Sequence, residues 1–252
     1  MIGIVIPARL NSERLPGKVL KDFLGMPMIE HVWRRAQLTN PLLETVIATD
    51  SLEIRDVVEN FGAKCILTSN KHNNGLSRVG EITNRLRWQH YLILQADEIL
   101  IEPNSLNLLA KSMLNKSKYK FFNLITKLEN MEEINDENIV KCLTRKDNSI
   151  ITMARKSSSI APAIIQKEFT SKICGVFGCS SQLLKELVTT SEQEIEKAES
   201  IEQMRVIELG HQILGVKINR NYPSVNTWKD AELVVKILST DFTQNKIMEL
   251  YR

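Results

Sequence analysis

Short apolar runs alternating with amphipathic stretches constrain this chain more than any other feature. "IGIVIP", "ETVIATD", "KCILTS", "HYLILQAD" and "KFFNLIT" are rich in β-branched or aromatic residues and almost continuously apolar. Strands covered by helices on both faces have that pattern. Between them lie helix-like segments. "MIEHVWRRAQ" places Ile29, Val32, Trp33 and Ala36 on one face, "SLEIRDVVENFG" opens on a Ser cap and closes on Gly62, and "EPNSLNLLAKSML" carries Pro103 near its start. Alternation of this kind predicts βαβ units and a parallel sheet, with ligands bound at the carboxyl ends of the strands.

The pattern changes between Asn138 and Cys179, where "IVKCLT", "SIITMAR" and "KICGVFGC" are strand-like with little helix between them. An antiparallel insertion is expected there. Helical signals return with "AESIEQMRVIELGHQ" and "TWKDAELVVKILST". No Gly/Pro/Ser-rich linker divides the 252 residues. The expectation is therefore an α/β fold built as one three-layer, Rossmann-like domain with an inserted antiparallel sheet. Its alternating strand–helix half would run to about residue 130. The inserted part would cover about 131–215 and a C-terminal helical region about 216–252.

Composition narrows the function classes. With 43% hydrophobic and 25% charged residues, the chain can bury a sizeable core. No apolar run approaches the length of a membrane span and no signal-peptide pattern opens the chain, so a cytoplasmic protein without membrane association is expected. Cys65, Cys142, Cys174 and Cys179 form no metal-like or redox spacing and read as small core residues. The net charge of +3 is spread rather than gathered into a stripe, which disfavours nucleic acid as a partner.

The stretch "RLNSERLPGKVL", Arg9 to Leu20, leaves the first strand where an α/β sheet places its ligand. It carries Arg9, Arg14 and Lys18 around Pro16 and Gly17. Arg offers a planar fork of donors, Lys a compact charge, and Gly allows close backbone approach to an oxyanion. The residues alone leave two readings open, a phosphate-binding loop and a solvated basic loop. Neither G-x-x-x-x-G-K-[ST] nor G-x-G-x-x-G is present.

The order of motifs resembles a known family. "IPARLNSERLPGKVL", "GMPMIEHV" and "IATD" look like the start of sugar nucleotidyltransferases, above all the CMP-Kdo synthetases, cytidylyltransferases that activate 3-deoxy-manno-octulosonate. "LQADEILIEP", "CGVFGC", "IEKAESIEQMR" and "VNTWKDAEL" resemble later family segments in the same order. The first stretch alone fits spore-coat-type nucleotidyltransferases equally well.

The resemblance implies in-line attack by the anomeric hydroxyl of an acidic keto-sugar on the α-phosphorus of CTP, giving a CMP-sugar for lipopolysaccharide or other surface polysaccharide. It assigns Arg9, Arg14 and Lys18 to the triphosphate, and Pro7 and Ala8 to the nucleotide. Arg78 falls near nucleotide and sugar, Gln95 and Glu199 on the sugar, and Asp97 with position 226 on Mg²⁺. Arg14, Lys18 and Asp97 form the catalytic set. Homodimers are usual in the family, and the strand-rich stretch from Asn138 is expected to supply an isologous interface.

Taken without the resemblance, each of these residues has a plainer reading. Asp97 could be a strand-end surface acid, Gln95 a loop hydrogen-bonder and Arg78 a solvated cation at a helix start. Glu196, Glu199 and Glu202 could form a solvated acidic stripe. His72 and His211 read as surface or capping residues, and Trp33, Trp88 and Trp228 as packing. The chain also departs from the family. Asn226 stands where the family has a second metal-binding Asp, Ala96 replaces a Gly, Ile173 a His, and Leu76 and Ser77 the Thr-Glu of a Thr-Glu-Arg loop. These departures keep alternatives open: a relative acting on another sugar such as amino-Kdo or a nonulosonate, or a catalytically weak nucleotide-binding paralogue.

Overall fold

The computed structural model describes residues 1–12, 14–72, 74–156, 161–220 and 222–252. Two compact units form, one from Met1–Asn107 with Tyr222–Arg252 and the other from Leu108–Asn221. The first division, after Asn107, falls earlier than the expected boundary near 130, and the C-terminal helices join the first unit.

The first unit begins with β1 (Ile2–Ala8), the short hairpin strands β2 (Asp22–Phe23) and β3 (Met26–Pro27), and α1 (Met28–Gln37). It continues through β4 (Glu44–Thr49), α2 (Leu52–Asn60), β5 (Lys64–Leu67), α3 (Gly75–Leu86), β6 (His90–Leu94) and the start of α4 (Pro103–Asn115). Four strands lie in the order β6-β1-β4-β5, all parallel, as the alternating pattern predicts. Ile4, Val5 and Ile6 of β1, Val46 and Ile47 of β4, and Leu92 to Leu94 of β6 are completely buried, because helices cover such a sheet on both sides. Gly3 is required by packing: a Cβ there would lie 2.5 Å from the buried Trp88 ring.

Local chemistry sets the helix ends. Ser51 caps α2 by accepting the Ile54 N–H at 3.2 Å, and Gly62 follows that helix at φ 87°, in the left-handed region expected of a terminator. Pro103 opens α4, where its missing N–H costs nothing.

The second unit holds β7 (Phe121–Lys127), β8 (Lys141–Thr144), β9 (Ile150–Ala154), α5 (Ala163–Phe169), β10 (Thr170–Ser180), α6 (Ser181–Thr189), α7 (Glu194–Glu199), α8 (Met204–Glu208) and β11 (Ile213–Lys217). Antiparallel pairing joins β10 to β7 and β8, and β8 to β9, as expected for the strand-rich stretch. Strand β11 adds parallel to β7. Residues 157–160, inside that stretch, lie outside the described residues. β10 bulges between Ile173 and Phe177, and the buried Asn123 amide donates to the Cys174 carbonyl at 3.0 Å inside the bulge. The chain then returns to the first unit with α9 (Trp228–Thr240) and α10 (Phe242–Glu249).

Several sequence expectations need correction. The helical signal over "AESIEQMRVIELGHQ" is broken, because Ser200 takes a left-handed φ of 52° and ends α7 before α8 restarts at Met204. The Glu196 side chain belongs to no solvated stripe: it is buried in an ion pair with Arg205 at 2.6 Å. Trp228 is 59% exposed rather than packed, and the Lys21 ammonium lies 3.8 Å from its ring centroid. Trp88 is core, three of the four cysteines are buried, and no cysteine is in a disulfide.

Candidate active site

The loop after β1 is anchored by two apolar plugs. Leu15 and Val19 are buried, the Gly17 N–H donates to the Leu10 carbonyl at 3.1 Å, and Gly17 itself sits at φ 66°. That left-handed turn is open to Gly at little cost and starts the 3₁₀ turn Lys18–Leu20. Burying residues 15 and 19 leaves Arg14 exposed and turns Lys18 toward the end of β6. Arg9 is exposed at the end of β1.

Lys18 is the centre of the cluster. Its ammonium donates to Asp97 Oδ2 at 2.8 Å and to the Val225 carbonyl at 2.8 Å, with Asn226 Oδ1 at 3.5 Å. Arg14 Nη2 donates to the same Asn226 oxygen at 3.2 Å. Side-chain exposure of 14% for Lys18 and 23% for Asp97 leaves the pair partly buried, where attraction between charges is stronger than in open water.

Backbone and capping bonds hold the partners in place. The Val225 N–H donates to the Asp97 carbonyl at 3.1 Å, and the Ser224 hydroxyl to Glu98 Oε1 at 2.9 Å. Thr227 and Asp230 form a capping box at the start of α9, and Asp230 Oδ2 also accepts the Asn226 N–H at 3.0 Å. Thus Asn226 is fixed by a helix N-terminus 129 residues away from Asp97 in the chain.

A second group forms at the ends of β1 and β6. Gly75, first residue of α3, lies so close to Pro7 and Gln95 that a Cβ there would be 3.2 Å from the Pro7 ring and 3.2 Å from the Gln95 amide nitrogen. Ala8, beside Pro7, is 3% exposed and pairs with Thr49. Arg78 sits elsewhere on α3 and is no solvated cation. It is 4% exposed, its Nη1 donating to Thr68 Oγ1 at 2.6 Å and lying 3.3 Å from Asp50 Oδ1. His72 pairs with Glu81 at 2.6 Å and His211 with Glu186 at 2.9 Å.

The structure therefore brings Arg14, Lys18, Asp97 and Asn226 together, and separately Pro7 and Gln95. Glu199 belongs to the second unit, where its carboxylate accepts the Arg155 N–H at 3.0 Å and its carbonyl accepts Arg155 Nε at 2.9 Å. Sequence reading missed the Val225 carbonyl, which no side-chain motif marks. It also missed the Asp50 and Thr68 partners of Arg78. The Thr227-x-x-Asp230 capping box was legible as a motif, and it is what positions Asn226.

Oxygen donors of this kind suit a hard divalent cation. Asp97 offers a carboxylate, Asn226 an amide oxygen and Val225 a carbonyl, all gathered on one ammonium. Among the described residues no group of three His, Cys, Asp or Glu could hold a metal, so a cation here would draw its remaining ligands from a bound phosphate or from water.

Residues 3–213 match the cytidylyltransferase family. The chain belongs to that family. This cytidylyltransferase is 33% identical over 237 residues to the 3-deoxy-manno-octulosonate cytidylyltransferase of Chlorobium limicola, covering 93% of this chain and 96% of the relative. It is 34% identical to the enzyme of that name from Francisella tularensis subsp. holarctica, covering 94% and 98%. A solved structure of CMP:2-keto-3-deoxy-manno-octonic acid synthetase complexed with CTP superposes with a TM-score of 0.89 at 29% identity, covering 96% of this chain and 99% of that one. An inositol-1-phosphate CTP transferase from T. maritima, 13% identical with a TM-score of 0.70, shares the fold. The chain is a nucleotidyltransferase, and no helix among its described residues is long and apolar enough to cross a membrane.

Proposed function

We propose that this cytidylyltransferase transfers CMP from CTP to the anomeric hydroxyl of a Kdo-type 3-deoxy keto-sugar acid, releasing pyrophosphate. The product would feed lipopolysaccharide or other surface polysaccharide synthesis in the cytoplasm. One observation carries this: the loop cations Arg14 and Lys18 converge with Asp97 and Asn226 at the carboxyl ends of the parallel strands. The names of the relatives and the CTP-bound homologue support the choice of nucleotide and sugar.

Nucleotidyl transfer needs charge neutralisation and alignment rather than a protein nucleophile. Arg14 and Lys18 hold the triphosphate, and Arg9 extends the same cationic edge. Pro7 and Ala8 bring the end of β1 against the nucleotide, while Arg78, fixed by Asp50 and Thr68, keeps the start of α3 in place. Gln95 takes the sugar side. The anomeric oxygen forms its bond to the α-phosphorus as the bond to the β-phosphate oxygen breaks, and the hydroxyl proton passes to solvent. Asp97 and Asn226 would hold Mg²⁺, which when bound would neutralise phosphate charge and lower the pKa of the attacking hydroxyl.

A homodimer is proposed, with the strand-rich stretch from Asn138 to Cys179 at its two-fold interface. Asn226 favours a second reading, a nucleotide-binding relative with weak turnover, because an amide removes one negative charge from the metal site. Pyrophosphate release, followed with each of the four nucleotides against a panel of keto-sugar acids, tests the proposal. Release with CTP and a Kdo-type acid is expected. CTP binding without release across the panel would establish the second reading.

A further inference from the structure

Lys18 does more than face the triphosphate, because its ammonium occupies the very oxygens assigned to the divalent cation. Asp97 Oδ2 and the Val225 carbonyl each accept from Nζ at 2.8 Å, and Asn226 Oδ1 lies 3.5 Å away. Arg14 takes the same Asn226 oxygen at 3.2 Å. A divalent cation and an ammonium cannot share this set: both need the same lone pairs, and their charges repel at contact distance. The arrangement is also firmly built. Leu15 and Val19 bury the loop on either side of Lys18, and the Thr227–Asp230 capping box fixes Asn226.

We infer that Lys18 is an intramolecular competitor of the metal, holding Asp97 and Asn226 closed to divalent cations until a triphosphate draws the ammonium away. The inference rests on the proposed function. Phosphate oxygens offer Lys18 and Arg14 a more highly charged partner than one carboxylate and an amide, so nucleotide binding frees the metal ligands. Coupling of this type is reciprocal, so nucleotide and metal each strengthen the other's binding. It also orders the site, because metal enters with or after the nucleotide. A second carboxylate at position 226 would strengthen the hold on both loop cations. The neutral Asn226 therefore suits a site in which Lys18 must let go.

The test measures metal binding directly, on full-length protein without nucleotide, using the electron paramagnetic resonance signal of free Mn²⁺. Wild type, Lys18→Met and Lys18→Gln are titrated, together with Lys18→Met combined with Asp97→Asn. Both neutral variants are expected to bind Mn²⁺ roughly tenfold or more tightly than wild type, within the usual range of site–site coupling. The Asp97→Asn change should remove that gain. Equal Mn²⁺ affinity in wild type and both Lys18 variants overturns the inference, as does a gain that survives loss of Asp97. Calorimetry of CTP binding to wild type in EDTA separates this from the proposed function. Failure to bind CTP counts against that function, whereas the Mn²⁺ comparison reads the competition without nucleotide.

Discussion

Glu196→Ala should be among the most destabilising substitutions in the second unit. The Glu196 and Arg205 side chains are only 5% and 6% exposed. Arg205 Nε and Nη2 make a two-pronged contact with the carboxylate at 2.7 and 2.6 Å, and Nη1 donates to the Leu187 carbonyl at 2.7 Å. Glu196 also accepts the Gln193 N–H at 3.1 Å, closing the capping box of α7. Removing the carboxylate leaves a guanidinium in a dry setting with two of its donors unmatched, a loss of about 3–5 kcal/mol. For a chain of this size that corresponds to a fall in Tm of about 6–20 °C. Urea unfolding gives the free energy and calorimetry the Tm. Glu196→Leu combined with Arg205→Met should recover most of the loss, because it removes both charges and keeps the volume. A loss below about 1 kcal/mol for Glu196→Ala, the range of an exposed pair, would refute the reasoning.

Two further outcomes are expected. Burial lowers the His31 pKa from 6.5 to about 4, so the folded protein keeps the ring neutral, with Phe23 O and Tyr251 Oη as its partners at 2.7 and 2.9 Å. The unfolded chain takes up that proton below pH 6.5, and stability should fall by about 3 kcal/mol as pH drops from 6.5 toward 4. Urea unfolding at several pH values checks this, and a His31→Gln variant with an unchanged acid slope would count against it. At the proposed metal site, with CTP saturating so that Lys18 and Arg14 are drawn to the phosphates, Asn226→Asp adds an anionic ligand and should lower the Mg²⁺ concentration needed for half-maximal rate. An unaltered Mg²⁺ dependence would remove Asn226 from the metal set, and a raised sugar KM alone would place it against the acidic substrate instead.

Much of the first unit was legible because its information is local. Continuous apolar runs mark strands buried on both faces, and Ser51, Gly62 and Pro103 mark helix ends, so β1, β4, β5, β6, α1, α2 and α4 lie where the pattern puts them. The second unit was less legible because its contacts are not local. Arg205 reaches back nine residues to turn Glu196 from a surface acid into a buried partner, and Ser200 breaks a helical pattern through backbone conformation alone. β11 and α5 carried too little periodicity to stand out. At the site, residue types and motif order singled out Arg14, Lys18, Asp97 and Asn226. That Lys18 lies among the proposed metal ligands depends on a backbone carbonyl from residue 225 and a loop plugged by Leu15 and Val19, which only the folded chain brings together.

Asp97, set against Lys18 and Asn226, is proposed to serve cytidylyl transfer to a keto-sugar acid. Phosphorus-31 NMR of CTP, Kdo and Mg²⁺ with wild type and with Asp97→Ala tests it most directly. Wild type is expected to replace the triphosphate resonances with those of a CMP phosphodiester and pyrophosphate, while Asp97→Ala binds CTP and leaves its spectrum unchanged. An Asp97→Ala protein that forms the phosphodiester at the wild-type rate would contradict the account.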